Sequence, residues 1–89
     1  MGTKLDELRD AIDKIDDEMS ALFKKRMALT SEIAEYKRKN NLPVFNAERE
    51  NAILERLAGK QNSETAEYTK ALFTEIFELS KAYQEKLNI

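Results

Sequence analysis

Residues 5–36 read LDELRDAIDKIDDEMSALFKKRMALTSEIAEY. Within them Leu5, Leu8, Ile12, Ile15, Met19, Leu22, Arg26, Leu29, Ile33 and Tyr36 alternate steps of three and four residues, the spacing of one buried stripe along an α-helix. Arg26 is the single charge on that stripe. Burying a guanidinium without a partner is costly, so a seam that keeps one implies an anion to meet it, either a protein carboxylate or a ligand.

The same stretch sets the architecture. No proline or glycine falls between residues 4 and 39, so one helix is expected from about Lys4 to about Lys39, a rod of roughly 54 Å. A compact domain of this size has a radius of gyration of only about 12 Å. Such a rod would overhang two shorter helices and leave its stripe wet, unless a second copy covers it. An intertwined homodimer is therefore expected; the alternative is an autonomous three-helix bundle with a broken first helix.

Working outward, Asn40, Asn41, Leu42 and Pro43 stop the first helix, because asparagine favours caps and the residue before a proline is pushed out of the helical region. Asn46 is a good N-cap for a short second helix from Ala47 to about Ala58, with Ile53, Leu54 and Leu57 on one face. Gly59 closes it. Lys60 to Ser63 form a polar connector in which Asn62 or Ser63 can cap a last helix, running from about Glu64 almost to the C-terminus. The chain thus reads as all-α, three helices in a single domain over residues 1–89. Met1, Gly2 and Thr3 have the look of an appended remnant.

Composition narrows the chemistry. There is no cysteine and no histidine among the 89 residues, which excludes disulfides, thiolate metal sites, and Ser-His-Asp or Cys-His catalysis. A net charge of −2 from interspersed acids and bases describes a solvated helical surface and not a nucleic-acid footprint. No apolar run reaches membrane-spanning length and the N-terminus lacks a signal-peptide pattern, so a soluble cytoplasmic protein is expected.

Further polar residues fall on apolar faces. Phe73, Phe77, Ser80, Gln84 and Leu87 form the stripe of the last helix, and Glu50 shares the stripe of Ile53, Leu54 and Leu57. Lys37 lies eleven residues beyond Arg26, close to three turns, so both cations point nearly the same way about 16 Å apart along the axis. Arg9, at the edge of the stripe, could reach the site of a partner chain in a dimer of antiparallel long helices. Each residue also has an ordinary reading. Arg26 could pair with Glu50 or snorkel; Lys37, with Arg38 and Lys39, could end a solvated helix; Arg9 could be surface. Glu50 could join an exposed run with Glu48 and Arg49, Ser80 could bond back to its own helix, and Gln84 could fix register. One internal polar pocket replaces all these separate explanations. With two or three cations, a carboxylate, a serine and an amide, but no nucleophile-base pair, it suits a small dianion bearing a hydroxyl, and a reaction that needs only conformational restraint and charge stabilisation.

The segments LRDAIDKID, LFKKRMALTSEIAEYK, LPVFNAERENAILERL and LFTEIFELSKAYQ resemble the all-helical chorismate mutases over nearly the whole chain. The resemblance implies an intertwined helical dimer with two equivalent sites, converting chorismate to prephenate in phenylalanine and tyrosine biosynthesis without metal, cofactor or covalent intermediate. By position, Arg9 resembles an arginine donated across the dimer to a substrate carboxylate, and Arg26 one supplied from within the subunit. Lys37 and Gln84 resemble the pair that bonds the ether oxygen, Glu50 the acceptor for the ring hydroxyl, and Ser80 a carboxylate contact. Arg49 matches a supporting basic position. Asn46 departs from the family, where aspartate is expected; the change is mild if the backbone amide makes that contact. An amide at residue 84 donates without first being protonated, so no acidic optimum traceable to it is expected. Two rivals remain at this stage, an isochorismate-pyruvate lyase of the same fold and a non-catalytic helical dimerisation module. The family contains many fusions to prephenate dehydratase, dehydrogenase or an earlier shikimate-pathway enzyme.

Overall fold

The computed structural model describes residues 2–59 and 63–87, with the side chain of Ser63 left aside. Three helices carry the fold: α1 (Lys4–Lys39), α2 (Ala47–Ala58) and α3 (Ser63–Leu87). Helix α1 runs its 36 residues without a break, in agreement with the sequence. None of the helices, among the described residues, is long and apolar enough to cross a membrane.

Local chemistry explains the helix ends. Thr3, set aside as a remnant in the sequence reading, caps α1: its side chain accepts from the Asp6 amide and the Asp6 carboxylate accepts from the Thr3 amide, a reciprocal capping box. At the other end Asn41 adopts φ 54°, the left-handed conformation asparagine tolerates. This lets the Leu42 amide donate to Lys37 O (2.8 Å) and the Asn41 amide to Arg38 O (3.4 Å), the two bonds of a Schellman ending. The Asn46 side chain accepts from the Arg49 amide at 3.1 Å and caps α2 as expected. Gly59 ends α2 with φ −66°, so it is not a left-handed cap. Closeness explains the glycine instead, since an added Cβ would sit 3.0 Å from Glu55 O. The expected cap at Asn62 lies outside the described residues.

Helix α3 packs against both other helices. Glu50 of α2 lies beside Lys81, whereas Leu54 and Ala58 lie along Ala66 and Lys70, so α2 and α3 run antiparallel. Along α1 the order is Arg26 beside Ser80, then Ala34 and Arg38 beside Leu87; α1 and α3 therefore run parallel. Among the described residues the buried positions are divided between three apolar ones, Ala34, Ile53 and Phe77, and three polar ones, Thr30, Ser80 and Gln84. Half the interior is polar, which a domain built only for stability would avoid.

The long axis of 57 Å and radius of gyration of 16.7 Å match a protruding rod and exceed the compact value for this length. Every residue from Gly2 to Leu22 is exposed. Leu5, Leu8, Ile12, Ile15, Met19, Leu22, Leu29 and Ile33 each keep between 48% and 62% of their surface accessible. Each such side chain leaves roughly 1 kcal/mol of burial unrealised.

The left-handed Asn41 makes a direct stability test. Asn41→Val is expected to cost about 1–2 kcal/mol, because a β-branched side chain clashes with the carbonyl at positive φ, whereas Asn41→Gly keeps or raises the melting temperature. Equal melting temperatures for the two variants, read by circular dichroism, would contradict this ending for α1.

Candidate active site

The three helices enclose a cleft of about 340 Å³. Helix α1 lines it with Arg26, Thr30, Ile33 and Lys37, whose steps of four, three and four residues keep them on one face. Helix α3 faces them with Phe77, Ser80, Lys81 and Gln84, and α2 with its preceding loop closes the side through Val44, Asn46, Arg49, Glu50 and Ile53. Arg26, Lys37, Asn46, Glu50, Ser80 and Gln84, singled out in the sequence on separate grounds, all line one cavity. Arg49 lines it as well.

Arg9 does not join them. It is exposed on the overhanging part of α1, seventeen residues before Arg26, or about 25 Å along the axis. No side chain bridges that distance.

Arg26 donates from Nη1 to Ser80 Oγ at 3.0 Å, and its guanidinium carbon lies 5.9 Å from the centre of the Phe77 ring. Both partners are uncharged. No ion pair joins Arg26 to a carboxylate among the described residues, which removes the reading in which Glu50 neutralises it. Its pKa is lowered from the ordinary arginine value, first by desolvation and then by the positive charge of Arg49. Both causes disfavour the cation, and both would be relieved by an anion in the cleft. Ser80 does not take its ordinary alternative of bonding back to its own helix; it accepts from Arg26 and points its hydroxyl toward Met27 Sδ at 4.0 Å. Thr30 makes that backward bond, donating to Arg26 O at 3.0 Å.

Lys37 stands apart from its basic neighbours. Arg38 and Lys39 are exposed and Lys39 pairs with Glu35 at 3.0 Å, but Lys37 turns inward and donates to Val44 O at 2.9 Å. That bond fixes the ammonium while two of its three donors remain for another acceptor. The Glu50 carboxylate meets Lys81 at 3.3 Å, with Lys81 also bonded to Glu78 at 2.7 Å. The Lys81 pKa is raised, chiefly by the hydrogen bond to Glu78 and further by Glu50, against an opposing desolvation.

Gln84 is 6% exposed, and its Oε1 is buried without a hydrogen-bond partner among the described residues. An orphaned buried amide oxygen costs about 1–3 kcal/mol. Gln84 is one of the residues that line the cleft.

Sequence reasoning missed Lys81, the Val44 carbonyl and Thr30. Lys81 lies one residue off the α3 stripe, and its partner Glu50 is 31 positions earlier, so periodicity gives no hint of it. A backbone carbonyl such as that of Val44 carries no sequence signal at all.

The fold and cleft define a class, small all-helical proteins with a pocket lined by several cationic side chains. The sequence model of the family described as chorismate mutase type II matches residues 8–85, and the chain belongs to that family. It is 42% identical over 81 residues to the bifunctional chorismate mutase/prephenate dehydratase of Buchnera aphidicola subsp. Schizaphis graminum, covering 89% of this chain but 21% of that protein. The chain thus spans about a fifth of the length of that relative. The chorismate mutase of Methanocaldococcus jannaschii is 31% identical over 88 residues, covering 97% of this chain and 89% of the relative. A conserved hypothetical protein from Pyrococcus furiosus has the same fold, with TM-score 0.78, 36% identity, and coverage of 94% of this chain and 99% of the other.

The orphaned amide gives a test with two readouts. Gln84→Leu is expected to leave the melting temperature unchanged or higher, because it removes a polar atom with no partner, while lowering turnover of the family's substrate on the order of a hundredfold. A destabilised variant with unaltered turnover would assign Gln84 to the scaffold.

Proposed function

We propose that this domain is a chorismate mutase, which rearranges chorismate to prephenate by restraint and electrostatics alone. The observation that carries this reading is Arg26, a partly buried guanidinium bonded to a neutral serine and facing a cleft with further cations. It sits in a chain whose family membership runs from residue 8 to residue 85. Chorismate carries two carboxylates, a ring hydroxyl and an enol ether, and each has a suitable group in the cleft. Arg26, with Ser80 behind it, binds one carboxylate. Lys37 and the Gln84 amide donate to the ether oxygen, where negative charge grows as the carbon–oxygen bond breaks ahead of carbon–carbon bond formation. Glu50 accepts from the ring hydroxyl. Asn46 contributes through the start of α2, its side chain being engaged in the helix cap. No proton has to be transferred, so a site without histidine suffices. The gain comes from holding the reacting ends together and from donors already fixed at the ether oxygen.

The second carboxylate needs a second cation, and Arg9 of another copy is the candidate. The apolar stripe from Leu5 to Tyr36 is half exposed along its length, and only another such stripe offers the same repeat over the same distance. We infer an intertwined homodimer in which each long helix reaches into the other subunit's cleft and delivers Arg9 there. The lyase reading uses a similar cationic pocket and is separated by its product, pyruvate.

Purified protein is expected to consume chorismate and yield prephenate, identified as phenylpyruvate after acid treatment. Arg9→Ala and Lys37→Ala homodimers are each expected to be nearly inactive. When the two are unfolded together and refolded, about a quarter of wild-type turnover should return, because each mixed dimer regains one complete site. No recovery in a folded mixture would place Arg9 in its own subunit's chemistry or outside the site. No turnover by the wild type would overturn the assignment.

A further inference from the structure

We propose that Lys81 is a positioning residue for the cleft: it holds Glu50 at its own helix, α3, and so keeps that carboxylate off Arg26, leaving the guanidinium to the substrate. The inference rests on the reading of the cleft as a chorismate site.

Five charged residues line the cleft, the cations Arg26, Lys37, Arg49 and Lys81 and the anion Glu50. A free carboxylate among those cations would settle on a guanidinium, whose planar fork binds carboxylates through two parallel bonds. It would then compete with a dianionic substrate for the same donors. Instead Lys81 Nζ lies 3.3 Å from Glu50 Oε2. Once that pair is formed, Arg26 and Lys37 remain free of any carboxylate in the cleft, with Arg49 at its edge.

Lys81 is itself held by three parts of the fold. Glu78, one turn earlier on α3, accepts at 2.7 Å; Glu50 comes from α2; and the Phe45 ring, from the loop between α1 and α2, stacks with its centre 4.6 Å from Nζ. The Lys81 and Glu50 side chains are only 20% and 24% exposed, against 62% for Glu78, so the inner contact is the less screened of the two. A cation fixed from outside in this way does two things for Glu50. It balances its charge, and it fixes Oε2 so that Oε1 can accept from a ring hydroxyl. Adjacent Phe45 and Val44 are tied down by Lys81 and Lys37 respectively, which holds the loop on the same side of the cleft.

The test is steady-state kinetics with chorismate on the full chain carrying K81M, K81R, E50Q or K81M/E50Q, each checked for helicity and melting temperature. K81M is expected to raise KM about tenfold with a smaller change in kcat, K81R to recover most of that loss, and K81M to add less than about twofold in the E50Q background. K81Q gives the same comparison should K81M not fold. A folded K81M or K81Q with wild-type KM would overturn the proposal, as would an equal loss with and without Glu50. Those results leave chorismate turnover by the wild type intact, which separates them from failure of the site reading itself; no turnover by the wild type overturns both.

Discussion

The contact between Arg26 and Ser80 is the constraint on which the rest depends. A guanidinium in an apolar helical seam needs compensation, and the protein supplies only partial compensation: a neutral hydroxyl at 3.0 Å and the face of an aromatic ring. The carboxylate that might have completed an ion pair, Glu50, is drawn to Lys81. Stability alone would favour closing the pair or replacing it with hydrocarbon. Leaving the charge open makes sense where binding and charge stabilisation of an anion are the purpose, and it explains why Thr30, Ser80 and Gln84 occupy half of the buried positions.

The second constraint is the length of α1. A rod of 36 residues cannot be covered by a 12-residue and a 25-residue helix. The apolar side chains from Leu5 to Leu22 are exposed in the single chain, and the polar interior and the exposed exterior are two sides of the same design. The half of α1 that packs on α3 builds the cleft. The half that overhangs carries Arg9 about 25 Å from that cleft, within reach of a site only in the proposed second copy. In the proposed dimer, assembly and chemistry would both depend on one uninterrupted helix.

Much of this was legible in the residues. The three helices follow from the absence of breakers before Asn40, from Asn46 as a cap and from Gly59 as an ending, and the candidates on α1, α2 and α3 follow from polar side chains at apolar spacing. What escaped depends on partners distant in sequence. Whether Glu50 would take Arg26 or Lys81 is a choice between two cations on different helices, made by side-chain reach that periodicity does not encode. The Val44 carbonyl that fixes Lys37 belongs to the backbone and has no residue signature. Thr3, a residue with no place in the apolar pattern, proved to cap α1 because its oxygen faces the Asp6 amide.

On the proposed function, Arg26 is kept open for a dianion rather than for a protein carboxylate. The most direct test is the melting temperature of the protein titrated with a stable dianionic ether mimic of the compact chorismate geometry, beside the matched monoacid. The account predicts a rise that follows ligand concentration, about 2.7 kcal/mol at a hundred times the dissociation constant, weaker with the monoacid and largely lost in Arg26→Gln. An unchanged melting temperature with the dianion, or an equal rise in Arg26→Gln, would contradict it.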